Sequence, residues 1–174
     1  VAFMAGAELD LQRDDRRNFA NDAGERGPLQ LDQLERVLAL GSFLHVRVPF
    51  ADRLEASAGL RYDRFRFRVE DRLSVGGDPD DSGQRDMDAL SPSLALHARV
   101  GPALDLCANA STAFETPTTT ELANRPDGAG GFNPALEPQR TLSVEAGARG
   151  GAGPFAYEAA AYRARVEDAL VPFE

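Results

Sequence analysis

No lysine occurs in the 174 residues. All 19 basic residues are arginine, against 28 aspartates and glutamates, for a formal net charge of −9. That acidic balance excludes nucleic acid as a partner, because a phosphate backbone needs a basic footprint. The lack of lysine carries no function of its own. Cysteine is almost absent too: Cys107 stands alone, so no disulfide can form within these residues. No apolar run reaches the roughly 18 residues that a membrane-crossing helix requires, and the start, VAFMAGAELD, shows neither a basic region nor a cleavage site of a secretory leader. A membrane is not thereby excluded, since a barrel strand needs only about 9–11 residues with every second one apolar. With 43% hydrophobic and 27% charged residues, the chain is not expected to be disordered.

What is present is period two. Leu54, Ala56, Ala58, Leu60 and Tyr62 alternate with Glu55, Ser57, Gly59, Arg61 and Asp63. A strand sends successive side chains to opposite faces, so this pattern makes one oily face and one polar face. The same alternation runs through Phe3 to Gln12, Ser93 to Val100, Leu104 to Ser111 and Leu142 to Arg149. It is less clean from Leu38 to Val48. From Phe155 to Val166 apolar residues fall on both faces, and the register stays open. After Tyr62 the alternation continues in the opposite phase, through Phe65, Phe67 and Val69, which predicts a bulge near Asp63. Seven strands result.

The connections alternate in length. Pro49 to Arg53, Gly101 to Ala103 and Gly150 to Pro154 are short and built from turn residues. Arg13 to Glu35, Asp71 to Asp88 and Thr116 to Gln139 read as long polar loops. An up-and-down barrel of an outer membrane has this layout, with short periplasmic turns and long extracellular loops. The predicted fold is therefore all-β, an antiparallel up-and-down meander of about seven strands within a larger transmembrane barrel. A soluble antiparallel sandwich alternates in the same way and stays an alternative.

Four motifs carry a resemblance. FETPTTTEL (Phe114 to Leu122) is similar to the Phe-x-x-Pro-Thr-x-x-Glu-Leu of TonB-dependent outer-membrane receptors. GGFNPALEPQRTLSVEAGARG (Gly130 to Gly150) resembles their Gly-x-Asn-Pro-x-Leu-x-Pro-Gln followed by Glu-x-Gly-x-Arg. AGLRYDRF (Ala58 to Phe65) and RVEDALVPF (Arg165 to Phe173) resemble two further barrel strands. The matching positions are Phe114, Pro117, Glu121, Asn133, Pro134, Leu136, Pro138, Gln139, Glu145, Gly147 and Arg149. Physically they read first as punctuation of strand ends: Pro117 cannot donate to a ladder, and Pro134 and Pro138 force an extended entry into the next strand.

The resemblance implies a receptor in the bacterial outer membrane that takes up an iron complex, siderophore-like, or a similar scarce nutrient, energised through TonB. It implies outer-membrane lipid and a ferric-chelate-type small molecule as partners, no enzyme activity and no cofactor. Arg16, Arg17, Arg125 and Phe132 are the loop residues expected on the ligand side. Family members carry an N-terminal plug and about 22 strands. This sequence shows neither a plug nor an energy-coupling box. Residues 1–174 are thus expected to be a partial barrel, incomplete at both ends, with TonB engaged through a missing N-terminal part. A non-transporting structural or adhesive barrel is the alternative within the membrane class.

Nothing points to catalysis or a metal. His45 and His97 lie on strands separated by a third and lack a Cys or His partner at ligand spacing. Ser93 is four residues from His97, roughly 13 Å along a strand, so the pair cannot activate a nucleophile. The acidic run from Gly76 to Asp86 lacks the 12-residue calcium-loop spacing and reads as a solvated loop.

Overall fold

A computed structural model describes residues 1–73, 80–123 and 131–169. The strands are β1 (Ala2–Asp22), β2 (Glu25–Ala51), β3 (Leu54–Asp71), β4 (Gly83–Gly101), β5 (Leu104–Glu115), β6 (Gln139–Ala152) and β7 (Phe155–Glu167), with one short helix, α1 (Thr119–Leu122). They form a single curled sheet in the order β1-β2-β3-β4-β5-β6-β7, every neighbouring pair antiparallel. Among the described residues no helix is long and apolar enough to cross a membrane.

The oily set lies on the convex face. Leu44, Leu60, Leu94, Leu96, Leu106 and Leu142 are all exposed there, while the polar alternates line the concave side. Phe3, Val46, Ala58, Leu94, Ala110, Val144 and Arg163 sit side by side across all seven strands. On β1 the apolar convex set climbs from Phe3 to Leu11; on β7 it has already ended at Ala161. The oily band therefore crosses the strands obliquely. About ten residues of offset at about 3.3 Å each, over six spacings of about 4.8 Å, gives a tilt of roughly 45–50°. Barrel strands tilt by about 35–45° against the axis, and the slant of this band is close to the steep end of that range.

Three expectations fail. Asp71 to Asp88 is not loop throughout, since β4 begins at Gly83. Arg13 to Glu35 is not a loop: β1 and β2 stay paired from Ala2↔Arg47 to Asp22↔Glu25, with register shifts at Asn18, Phe19 and Asn21. The hairpin closes in two residues, Ala23 (φ 50°) and Gly24 (φ 93°), the positive pair that a tight hairpin turn of this type demands. Only Gln33, Leu34 and Glu35 at its base are buried; from Asp32 to the tip no residue is, so no alternation marked the ribbon. Nor is there a bulge near Asp63, since β3 pairs without a shift from Leu54↔Ala98 to Val69↔Gly83. Phe65, Phe67 and Val69 simply share the concave face with Arg61 and Asp63. What changes along β3 is the surroundings of that face.

The core sits at the upper end, where the loops are. Phe67, Met87 and Leu122 are buried together, with Val37, Phe65, Phe132 and Leu136 packed around them. Pro92, which has no N–H to give, ends the pairing of β4 with β5, whose last rung is Ser93↔Ser111. Beyond it Phe114 meets the ring of Phe65 edge-on, with centroids 5.8 Å apart.

Candidate functional site at the upper mouth of the wall

The segment between β5 and β6 folds back over the concave face. Its first part is set by local chemistry. Thr118 accepts a hydrogen bond from the Glu121 N–H at 3.2 Å, and the Glu121 carboxylate accepts from the Thr118 N–H at 2.7 Å. This reciprocal capping box satisfies two amides that the single turn of α1 leaves open. It aims Leu122, which is 0% exposed, at Phe67 and Met87. Pro117, immediately before, is fully buried.

The second part is tied to the first and to β4. The Asn133 N–H donates to the Leu122 carbonyl at 2.5 Å, and Asn133 Oδ1 accepts from the Ala135 N–H at 3.1 Å. Arg85 donates to the Pro134 carbonyl and, at 2.7 Å, to Glu137. Pro138 is buried and Leu136 joins the core. Phe132 lies across Gly83, where any Cβ would collide with its ring. The motif positions therefore act as a latch.

Glu35 is the polar centre of that latch. It is 2% exposed, on β2. Its Oε1 accepts from Arg16 and from Gln33, both at 2.6 Å, and its Oε2 accepts from the Thr119 hydroxyl. Arg16 also donates to the Thr120 hydroxyl at 2.9 Å. A carboxylate removed from water needs such partners, because a buried charge without them is costly. Three donors from three parts of the chain converge on it.

Below the latch the concave face is a wet, charged wall. Arg61 pairs with Asp63 and reaches Glu8 at 3.2 Å. Arg47 pairs with Glu55 at 2.8 Å. Asp105 is approached by His97 and Arg99 at 3.6 Å and by Arg149 at 3.8 Å. Glu145 stands opposite Asn109, Gly147 opposite Cys107 and Arg149 opposite Asp105, on the polar side where the alternation puts them.

The four ligand-side residues are not brought together. Arg16 is held by Glu35 and Thr120, with about a third of its side chain exposed. Arg17 faces the convex side, 3.5 Å from Asp32 and 3.6 Å from Asp15. Phe132 is packed on Gly83 and the core. Arg125 lies outside the described residues, as do Gly76 to Pro79 of the acidic run. Of the rest of that run, hydrogen bonds from the Ser82 hydroxyl first and the Ser82 N–H second hold the Asp80 carboxyl below its ordinary range, and Asp81 accepts from the Gly131 N–H at 2.6 Å. Among the described residues no cluster of His, Cys, Asp and Glu is arranged to hold a metal. Sequence reasoning missed Glu35, Gln33 and Arg85. The Thr-x-x-Glu spacing of the capping box could have revealed α1, but no local pattern marks its partner on β2.

Comparison with known proteins agrees with this geometry. Residues 2–174 match the family model described as TonB dependent receptor-like, β-barrel. Over 116 residues the chain is 28% identical to the metal-pseudopaline receptor CntO of Pseudomonas aeruginosa (strain UCBPP-PA14), covering 66% of this chain and 15% of that protein. Among solved structures it is similar to the copper transporter OprC, with TM-score 0.70 and 18% identity, over 94% of this chain and 28% of the other. The Serratia marcescens haemophore receptor HasR, in complex with its haemophore HasA and haem, gives TM-score 0.61 and 20% identity, covering 94% and 30%. The alcaligin outer-membrane receptor FauA of Bordetella pertussis gives 0.55 and 19%, covering 78% and 21%. At these identities the structural likeness establishes the fold. The chain spans less than a third of each of these proteins.

Proposed function

Since the chain belongs to the β-barrel family of TonB-dependent receptors and lies in the outer membrane, we propose that it is a partial barrel within an uptake receptor for an iron complex or another scarce metal chelate, energised through TonB by a part of the protein N-terminal to it. The observation that carries this reading is the latch: a loop fixed by its own motif residues over the concave face, at the mouth where a solute would enter. A barrel that only displayed loops would not need Thr119, Arg16 and Gln33 to converge on a buried carboxylate beneath that mouth.

The named relatives take different cargo, among them metal-pseudopaline, copper, alcaligin and haem with its haemophore. The solute proposed for this chain is a metal carried as a complex. The charged concave wall suits such a solute better than an apolar one. Of the residues put forward for contact, Arg16 comes first, its guanidinium beside the Thr120 hydroxyl; Arg17, Arg125 and Phe132 complete the proposed set. The test is growth of a receptor-deficient strain that produces the protein at its full natural length. One ferric chelate as sole iron source should restore growth, and collapse of the proton gradient or loss of TonB should abolish it. Failure of ferric, copper and haem sources alike, or rescue that persists without TonB, would overturn the reading.

A further inference from the structure

Directly above the oily band the convex face turns to arginine. Going up from the oily run, the first charged residue is Arg13 on β1 (after Leu11), Arg36 on β2 (after Leu38, with the buried Leu34 beyond it), Arg64 on β3 (after Tyr62), Arg140 on β6 (after Leu142) and Arg163 on β7 (after Ala161). On β4 it is Asp88. The girdle follows the slant of the band across the strands, as a feature level with the membrane surface would. In a chain of net charge −9, this concentration of positive charge stands against the average.

Within the girdle, Arg13, Arg36 and Arg68 are direct cross-strand partners on three adjacent strands. Like charges directly opposite one another destabilise a sheet. The chain itself offers them little. Glu70 approaches Arg36 only to 3.9 Å, and neither Arg13 nor Arg68 has an ion pair among the described residues. By contrast, Arg66 and Arg64, two and four residues lower on β3, share Asp86 at 2.8 and 3.2 Å.

We infer that the Arg13–Arg36–Arg68 row is a binding surface for the phosphorylated headgroup of an outer-leaflet lipid. A guanidinium presents paired N–H donors that match phosphate oxygens, and three of them in register share one or two such groups. The apolar band begins at Leu11 and Leu38, the convex residues immediately below Arg13 and Arg36, so a molecule with acyl chains covers the band while its phosphates meet the row. A free phosphate ion gains only the second half of that contact. This inference goes beyond the uptake reading and stands or falls apart from it.

The test uses the protein at its full natural length in nanodiscs, titrated with a bis-phosphorylated glycolipid. Parallel titrations use the same lipid with its phosphates removed, and inorganic phosphate alone. At about fivefold per arginine near an anionic surface, R13Q/R36Q/R68Q should weaken binding of the phosphorylated lipid by on the order of 100-fold. The dephosphorylated lipid should bind weakly to wild type and variant alike. Arg47→Gln, on the concave face, should leave every affinity unchanged. If the triple glutamine variant does not fold, R13K/R36K/R68K keeps the charge and loses the paired donors, and should bind about tenfold more weakly than wild type. Equal binding of the two lipids overturns the assignment, as does wild-type affinity in the triple variants. Inorganic phosphate competing as strongly as the lipid would make it a free-anion site and overturn it as well.

Discussion

The two halves of β3 obey opposite rules on one unbroken ladder. From Leu54 to Tyr62 the apolar residues are the even-numbered ones on the convex face; from Phe65 to Val69 they are odd-numbered and concave. No bulge separates the halves. Below Tyr62 the convex face meets lipid and the concave face meets water and charge. Above it the convex face meets water and carries Arg64, Arg66 and Arg68, while the concave face packs under the latch. Hydrophobic phase therefore reports what lies beside a strand, and register has to be read from the ladder.

The comparison can be broken at either end. The largest expected effect is Leu122→Ala, which opens a cavity against Phe67 and Met87 and should destabilise the latch by about 2–5 kcal/mol. Limited proteolysis of the protein at full natural length should then cut between Glu115 and Gln139 while the wall stays intact; resistance equal to wild type would mean the loop is held without its core. Next is the lipid half. Leu60→Arg or Leu96→Arg should cost roughly 2–4 kcal/mol in folding into lipid vesicles. Arginine at Ser57 or Ser93, on the wet face, should cost little by comparison. Equal penalties on the two faces would remove the membrane assignment.

Smaller effects sharpen it. Thr118→Ala removes the cap of α1 and should loosen the loop by about 1 kcal/mol, read as faster amide exchange at Glu121 and Leu122. The smallest is a pH effect on the convex upper half. The hydrogen bond from Arg66 first, and that from Arg64 second, lower the Asp86 carboxyl to about 2. A depressed carboxylate contributes its stability above its ordinary range and loses it as pH falls through the depressed value, here from about pH 4 to about pH 2. Asp86→Asn should flatten that part of the acid-unfolding profile. The surface position keeps the effect slight.

Legibility divides along the same line. The wall was readable because lipid on one side and water on the other impose strict alternation, and Leu54 to Asp63 shows it with no exception. The β1–β2 ribbon above Arg16 and Gln33 was not, since with no buried residue on either face nothing selects an apolar side and a paired strand looks like a loop. At the mouth, Pro117, Pro134 and Pro138 were legible as strand-end punctuation; Pro117 follows the end of β5 and Pro138 precedes β6, whereas Pro134 sits in a turn five residues short of that strand. Their second role was not, because Thr119 and Glu35 are far apart in sequence and come together only through the fold.

Mechanically, the upper hairpin is a lever. The last rung that ties β2 to β3 is Gln33↔Asp71, followed by a hydrogen bond from the Arg72 N–H to the Asp32 carbonyl at 2.7 Å, so from Leu31 to the tip at Glu25 the ribbon has a single partner strand, over roughly 20–25 Å. Two strands alone are only marginally stable in water, and the register shifts around Phe19 are where such a ribbon bends most readily. Arg26, lying 3.4 Å over the Phe19 ring, stiffens that bend. The fulcrum is Glu35, just below the free stretch and gripped by Arg16, Gln33 and Thr119. A sideways push on Ala23 and Gly24 is thus delivered, through Arg16, to the loop that lies across the mouth.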